Sequence, residues 1–321
     1  MYTDSLVAFL DILGLTDRIR ETETDHSAVA SIAGVLNEVN KIASTINSDL
    51  KESLRIDISA HAFSDSIILS CPEISRRSFI AMANIVSETQ FDIMGLEFFL
   101  RGAISAGAHY EKDGIAFGPA YIKAYEMEKL SVWPRVMIAP VVLQKLPPQT
   151  VEAAVESYLV RDQSGLCYLN YLDLVLKRSV LLPFVSTAKG EPRQIDVTKI
   201  LEQHKQYLLS AITNLKAKGQ LHLLPKYHAV ADYHNCYMRA LYEDLPKTAD
   251  YREVDPTTGT GQLINSFKEF ASTQKEVKSE DIESIIQEYT RGLYEDRDQI
   301  QACEIDLVEV FGELYPHINA L

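Results

Sequence analysis

Cysteine is scarce and scattered. The four in 321 residues, Cys71, Cys167, Cys236 and Cys303, form no CxxC pair, which excludes a zinc ribbon and a disulfide framework. Long apolar runs are missing too, since no stretch reaches the ~20 residues that a membrane-spanning helix needs. The opening Met1-Tyr2-Thr3-Asp4 has neither the basic start nor the apolar centre of a secretory leader. The expectation is a cytoplasmic protein with reduced thiols and no membrane partner. Positive charge is in short supply: 31 Lys plus Arg face 45 Asp plus Glu, for a net charge of −14. That balance argues against a large nucleic-acid surface, which needs clustered cations. It leaves nucleotides open, because metal ions and a few local cations suffice for their phosphates. No internal repeat or low-complexity tract is visible.

What is present is a chain with 46% hydrophobic residues, enough for one large or two ordinary domains. Its first organised stretch is an apolar run, Leu6 to Leu10, that ends on Asp11 and is followed by Gly14 and Thr16. A carboxylate at the end of a buried strand is costly unless something positive meets it. A divalent metal bound by Asp11 and a second acid is one reading. An Asp that merely ends the strand and caps the turn is the other.

Residues 5–11 read as a buried strand, and Thr16 to about Asp49 as helical with a break in the charged bridge 17–26. The helix carries Val29, Ile32, Val35, Leu36, Val39, Ile42 and Ile46 at spacings of three and four. Residues 54–62 alternate as a strand, Ser64-Asp65-Ser66 forms a polar tip, and Ile67-Ile68-Leu69 returns as a strand. A helix over 75–94, a strand over 96–108, a turn at 112–114, a short strand at 115–117, a Pro119-initiated helix and a strand at 134–138 follow. This order predicts an α+β fold: an antiparallel sheet with helices on one face, in the ferredoxin-like βαββαβ arrangement. The first domain is expected over 1–147 and a mostly helical region of unknown role over 148–321. Helices are expected at about 197–218, 224–243, 262–273 and 279–312, and a polar loop at 248–261.

The two acids and this order of elements resemble the catalytic domain of class III nucleotidyl cyclases, over residues 5–140. Phe9, Asp11, Ile12, Gly14 and Thr16 match the FxDIxGFT motif, with Leu15 in place of Phe. Phe63-Ser64-Asp65-Ser66 is similar to the hairpin that carries the family's second metal-binding Asp, with Ser64 where Gly is usual. Arg101 to Gly107 resembles the RxGIHxG strand, and Phe117 to Glu128 sits where the GxxVNxAxRLE helix runs. The resemblance implies a metal-dependent cyclase that releases pyrophosphate from a nucleoside triphosphate. It implies two Mg²⁺ or Mn²⁺ per site on Asp11, Asp65 and the Ile12 carbonyl, and Gly14 and Thr16 beside the nucleotide. It further implies a head-to-tail homodimer with sites at the interface. Bacterial pyrimidine cyclases of antiphage signalling are similar divergent members.

The departures bear on turnover. The family's ribose-positioning Asn falls on Ile122 and its transition-state Arg on Glu126, a loss of positioning and a reversal of charge. The purine-reading Lys falls on His61 and the purine-reading Asp near Ile115, so the choice of base does not carry over. Arg101, Lys123 and Arg135 are candidates for the phosphate contacts. A catalytically degenerate nucleotide-binding module is the alternative to a working cyclase. By alternation His61 shares a face with Phe63 and Asp65, either towards the base or as a packed, hydrogen-bonded ring. Glu111, Asp113, Glu126 and Glu128 are read as a solvated face, with an added metal ligand or base as the alternative. The polar-aromatic cluster from Lys226 to Asn235 is read as a helix docking against the first domain with its polar groups paired, with a ligand or metal site as the alternative.

Overall fold

The computed structural model describes residues 1–176, except 24–25, 27, 51–55, 113–114, 132 and 163, together with 197–243, 297–314 and single helical positions at 283, 287 and 291. The expected helix at 262–273, the loop at 248–261 and Asp113 lie outside these residues. The chain forms two compact units, Met1–Leu174 and Val175–Leu321.

The first unit is built on one mixed sheet. Its central strand is β1 (Thr3–Leu13), paired antiparallel with β3 (Ser66–Cys71) on one side and β4 (Phe99–Lys112) on the other. β2 (Ser59–Phe63) closes the edge beyond β3. β5 (Ile115–Phe117) pairs with the far end of β4. On the opposite side β6 (Val136–Ile138) runs parallel to β4, and β8 (Cys167–Leu169) and β7 (Leu159–Arg161) continue the sheet. The strand order is β2-β3-β1-β4-β6-β8-β7. The parallel β6 makes the sheet mixed where an antiparallel one was expected. The expected domain limit at 147 falls inside this unit, because β7 and β8 join its edge.

β1 is apolar on both faces, and that decides the layering. Leu6, Ala8, Leu10 and Ile12 face one way. They join a core with Val35, Val39 and Ala43 of α2 (Ala28–Thr45) and Phe79, Met82 and Val86 of α3 (Arg76–Met94). Val29, included in the helical stripe, is exposed because it sits in the first turn. α1 (Leu15–Glu21) is a separate short helix that ends before α2 begins at Ala28. Val7 and Phe9 face the other way and are equally buried. Phe9 meets Tyr121 and Tyr125 of α4 (Pro119–Leu130) edge to face, with centroids 5.8 and 5.3 Å apart. The sheet therefore carries helices on both faces, correcting the one-faced expectation: a strand with two apolar faces needs two covers. Two short helices, α5 (Pro140–Lys145) and α6 (Pro148–Ser157), lead from β6 to β7. Gly102 on β4 is required by close approach, since a Cβ there would lie 2.3 Å from the Phe9 carbonyl oxygen on β1.

The second unit contains α7 (Val197–Ala217), α8 (Leu224–Glu243), α9 (Arg297–Ala302) and α10 (Leu307–Val310). Of the polar cluster of α8, His234 and Asn235 are buried against residues 303–305 of the same unit, while Asp232 is exposed. His234 Nε2 lies 3.1 Å from the Cys303 carbonyl oxygen, and Asn235 exchanges two hydrogen bonds with the Ile305 backbone, at 2.8 and 2.9 Å. His228 packs edge-on against Phe311. Among the described residues no helix is long and apolar enough to cross a membrane.

Candidate functional site

The site begins where β1 ends. Gly14 adopts a left-handed φ of +79°, which turns the chain from strand into α1 within two residues. No described atom lies within 4 Å of where its Cβ would be, so its role is conformational. At the neighbouring end of β3 the hairpin tip is tied to β1 by the Ile12 N–H, which donates to the Asp65 carbonyl at 2.9 Å. This bond sets the Ile12 backbone on the edge of β1 that faces Asp65, while its side chain is sealed in the core. Thr16, in the first turn of α1, places its hydroxyl 3.5 Å from Asp65 Oδ2.

Sheet register puts four side chains in one row on the Phe9 face. Phe63 on β2 pairs with Ser66 on β3, Ser66 with Asp11 on β1, and Asp11 with Arg101 on β4. Arg101 donates from both Nε and Nη2 to the same oxygen, Asp11 Oδ2, at 3.1 Å each. Its Nε also lies 2.5 Å from Glu128 Oε1, on the inner face of α4. The Asp11, Arg101 and Glu128 side chains are 18, 28 and 3% exposed. Two carboxylates thus hold Arg101, for which a phosphate contact is expected from the sequence. Burial pushes the Asp11 carboxyl above its usual range, Arg101 opposes the shift, and the charge of nearby Asp65 adds to it. Burial raises the Glu128 carboxyl as well, with Arg101 lowering and Asp11 raising it.

α4 turns Ala120, Ala124, Met127 and Glu128 to the sheet. Ile122 and Glu126 fall on its opposite side and are exposed, and Lys123 lies exposed on its flank. Within this chain Lys123 is thus not brought to the acids. Arg135 is paired with Asp162 at 3.0 Å, with Tyr168 and Trp133 rings beside it.

His61 stands on the same sheet face. Its Nε2 is 2.8 Å from Glu111 Oε1. Glu111 also accepts from the Ser70 hydroxyl, which lies 3.1 Å from the Ser59 hydroxyl, and its Oε2 is 3.6 Å from the buried His109 Nε2. Burial alone would raise the Glu111 carboxyl. His109, Ser59, Ser70 and His61 outweigh it and hold the group well below the ordinary carboxylate range. Glu111 and Glu128 are the residues that sequence reasoning assigned to solvent. Alternation from Arg101 through 103, 105, 107 and 109 reaches Glu111, and the i, i+4 series 120, 124, 128 reaches Glu128.

Among the described residues no three His, Cys, Asp or Glu side chains are arranged to hold a metal. The donors at the end of β1 are the Asp11 oxygen that Arg101 leaves, the Asp65 carboxylate and the Ile12 backbone. Mg²⁺ and similar ions bind through one or two carboxylates with substrate phosphates completing the shell, and this set fits a cation of that kind. The burial of Asp11 and the charge of Asp65 beside it are what such a cation relieves.

No protein-family model matches the sequence, and no curated protein matches it. Among solved structures, it is similar to one described as a class III adenylyl cyclase-like ATP-binding protein from Pseudomonas aeruginosa. That match has 11% sequence identity and a TM-score of 0.39, and covers 54% of this chain and 40% of the other. The chain thus spans less than half the length of that protein.

Proposed function

We propose that the first unit is a ferredoxin-like, class III cyclase-like domain. In this reading it converts a nucleoside triphosphate to a 3′,5′-cyclic nucleotide and pyrophosphate, with Mg²⁺ or Mn²⁺. The strand order β2-β3-β1-β4 with antiparallel neighbours supports the core. The observation that carries the function is the nearness of Asp11 and Asp65, whose charges interact, with the Asp65 backbone bonded to Ile12 beside Asp11. A cation bound there supplies positive charge to the triphosphate and makes the attacking hydroxyl more acidic. Asp11 and Asp65 bind it, Thr16 orients Asp65, and Arg101, backed by Glu128, orients Asp11. The exposure of Ile122, Lys123 and Glu126 on α4 supports a head-to-tail homodimer, in which that surface serves the partner's site. His61 is assigned to the nucleobase, and the product to signalling, with phage defence as its setting.

The test is incubation of the purified protein with Mn²⁺ and each of the four ribonucleoside triphosphates, with product identification. A cyclic monophosphate from at least one, lost in Asp11→Ala and Asp65→Ala, supports the reading. No product from any of the four, with the protein folded and dimeric, overturns it. A second reading, a nucleotide-binding regulatory module without turnover, is favoured by the capture of Arg101 between Asp11 and Glu128. It predicts saturable, metal-dependent triphosphate binding by calorimetry with no pyrophosphate released.

A further inference from the structure

We infer that this site takes one divalent cation per chain, with the Arg101 guanidinium holding the Asp11 oxygen that a second would need. The inference rests on the metal-binding part of the proposed function and concerns the chain's own charges. A two-ion clamp holds its ions only about 3.5–4 Å apart, and a carboxylate that offers one oxygen to each ion serves that spacing. Asp11 cannot do so here, because its Oδ2 already receives two N–H groups from Arg101 at 3.1 Å. A guanidinium keeps its proton in proteins, so a cation approaching Oδ2 meets a fixed positive charge.

Arg101 is also not free to swing away. Glu128, nearly sealed on the inner face of α4, lies 2.5 Å from its Nε. Withdrawing Arg101 would leave that carboxylate buried and alone. The charges agree with the geometry: Asp11, Asp65 and Glu128 against Arg101 leave two negative charges, which one dication balances. Arg101 is thus a positioning residue. It fixes the Asp11 carboxylate, leaves Oδ1 for the cation and neutralises what a second ion would neutralise.

Titration with Mn²⁺ alone, counting bound ions by the loss of the free-ion electron paramagnetic resonance signal, tests this without any turnover. One Mn²⁺ per wild-type chain is expected, lost in Asp65→Asn. Arg101→Gln frees Oδ2 and should bind a second Mn²⁺ within tenfold of the first in affinity. If that variant does not fold, the double variant Arg101→Gln/Glu128→Gln, which removes one charge of each sign, should show the same second ion. Two ions on the wild-type chain, or still one on the folded variants, overturn the inference while leaving the metal site standing. No ion on the wild-type chain overturns the metal site itself and this inference with it.

Discussion

The rings of His204 and His234 stack inside the second unit, 4.8 Å apart and within 7° of parallel. Both are fully buried. Burial holds His204 well below the ordinary imidazole range, and the neighbouring His234 adds to this. Burial pushes His234 down to about 4, against the Cys303 carbonyl that favours its charged form. The folded pair is therefore neutral where the unfolded chain takes up protons. Its stability is complete above about pH 6.5 and falls as pH drops towards 4, by about 1.4 kcal/mol per pH unit for each proton taken up. Urea unfolding of the wild-type protein and His204→Leu at pH 7, 6 and 5 checks this. The variant should lose less stability per unit, and equal slopes would contradict the assignment.

Gly102 and Gly34 make opposite forecasts for one substitution. A Cβ at Gly102 would sit 2.3 Å from a backbone oxygen of β1, one residue from Arg101. Strand β4 would have to shift away from β1, at a cost of about 3 kcal/mol. Gly34 lies within α2, where an added Cβ meets nothing within 4 Å. Gly34→Ala should add about 1 kcal/mol through helix propensity. Denaturant midpoints should move in opposite directions, and Gly102→Ala should also weaken Mn²⁺ binding by displacing Arg101 from Asp11.

What the sequence disclosed about the site follows from what strand geometry can disclose. An apolar run ending on Asp11, and a polar tip carrying Asp65 between two strand patterns, fix where each acid sits along its strand. Their meeting then needs only the β1–β3 pairing. The carboxylate partners of Arg101 are not legible, because a positive charge does not name its partner: phosphate and carboxylate look alike until register sets Arg101 opposite Asp11. Glu111 was missed because β4 runs to Lys112, four residues past its expected end. The second cover on the sheet was legible in Val7 and Phe9, apolar residues alternating with an already apolar face. The expectation of a half-exposed sheet outweighed them.

Ser64 bears on why Gly is common at such a hairpin tip. Its φ is +54°, in the left-handed region that costs a residue with a Cβ about 1 kcal/mol. Ser64→Gly relieves the strain and loses part of that gain to the freer unfolded chain. A small rise in the urea midpoint is expected, about 0.5 kcal/mol. Ser64→Val, with a branched Cβ in the same conformation, should fall by about 1 kcal/mol or more. Because the tip carries Asp65, the valine variant should also bind Mn²⁺ more weakly, which a purely local loss of stability does not require.

Glu111 sets both the acid tolerance of the first unit and the state of His61. Its carboxyl titrates well below its ordinary value of 4.5, so its contribution is complete above about pH 4.5 and is lost as pH falls below that. An ionised Glu111 only accepts hydrogen bonds, so His61 must donate through Nε2. In the neutral ring Nδ1 is then left as an acceptor. Glu111→Gln keeps the shape, removes the charge and should cost about 1–3 kcal/mol at pH 7. It should also flatten the loss of stability between pH 4.5 and 3, as measured by urea unfolding. A glutamine that accepts from Nε2 as the carboxylate does would leave triphosphate binding unchanged, whereas His61→Ala should weaken it for every base. If His61→Ala binds all four triphosphates as the wild type does, His61 is a packed ring and takes no part in the site.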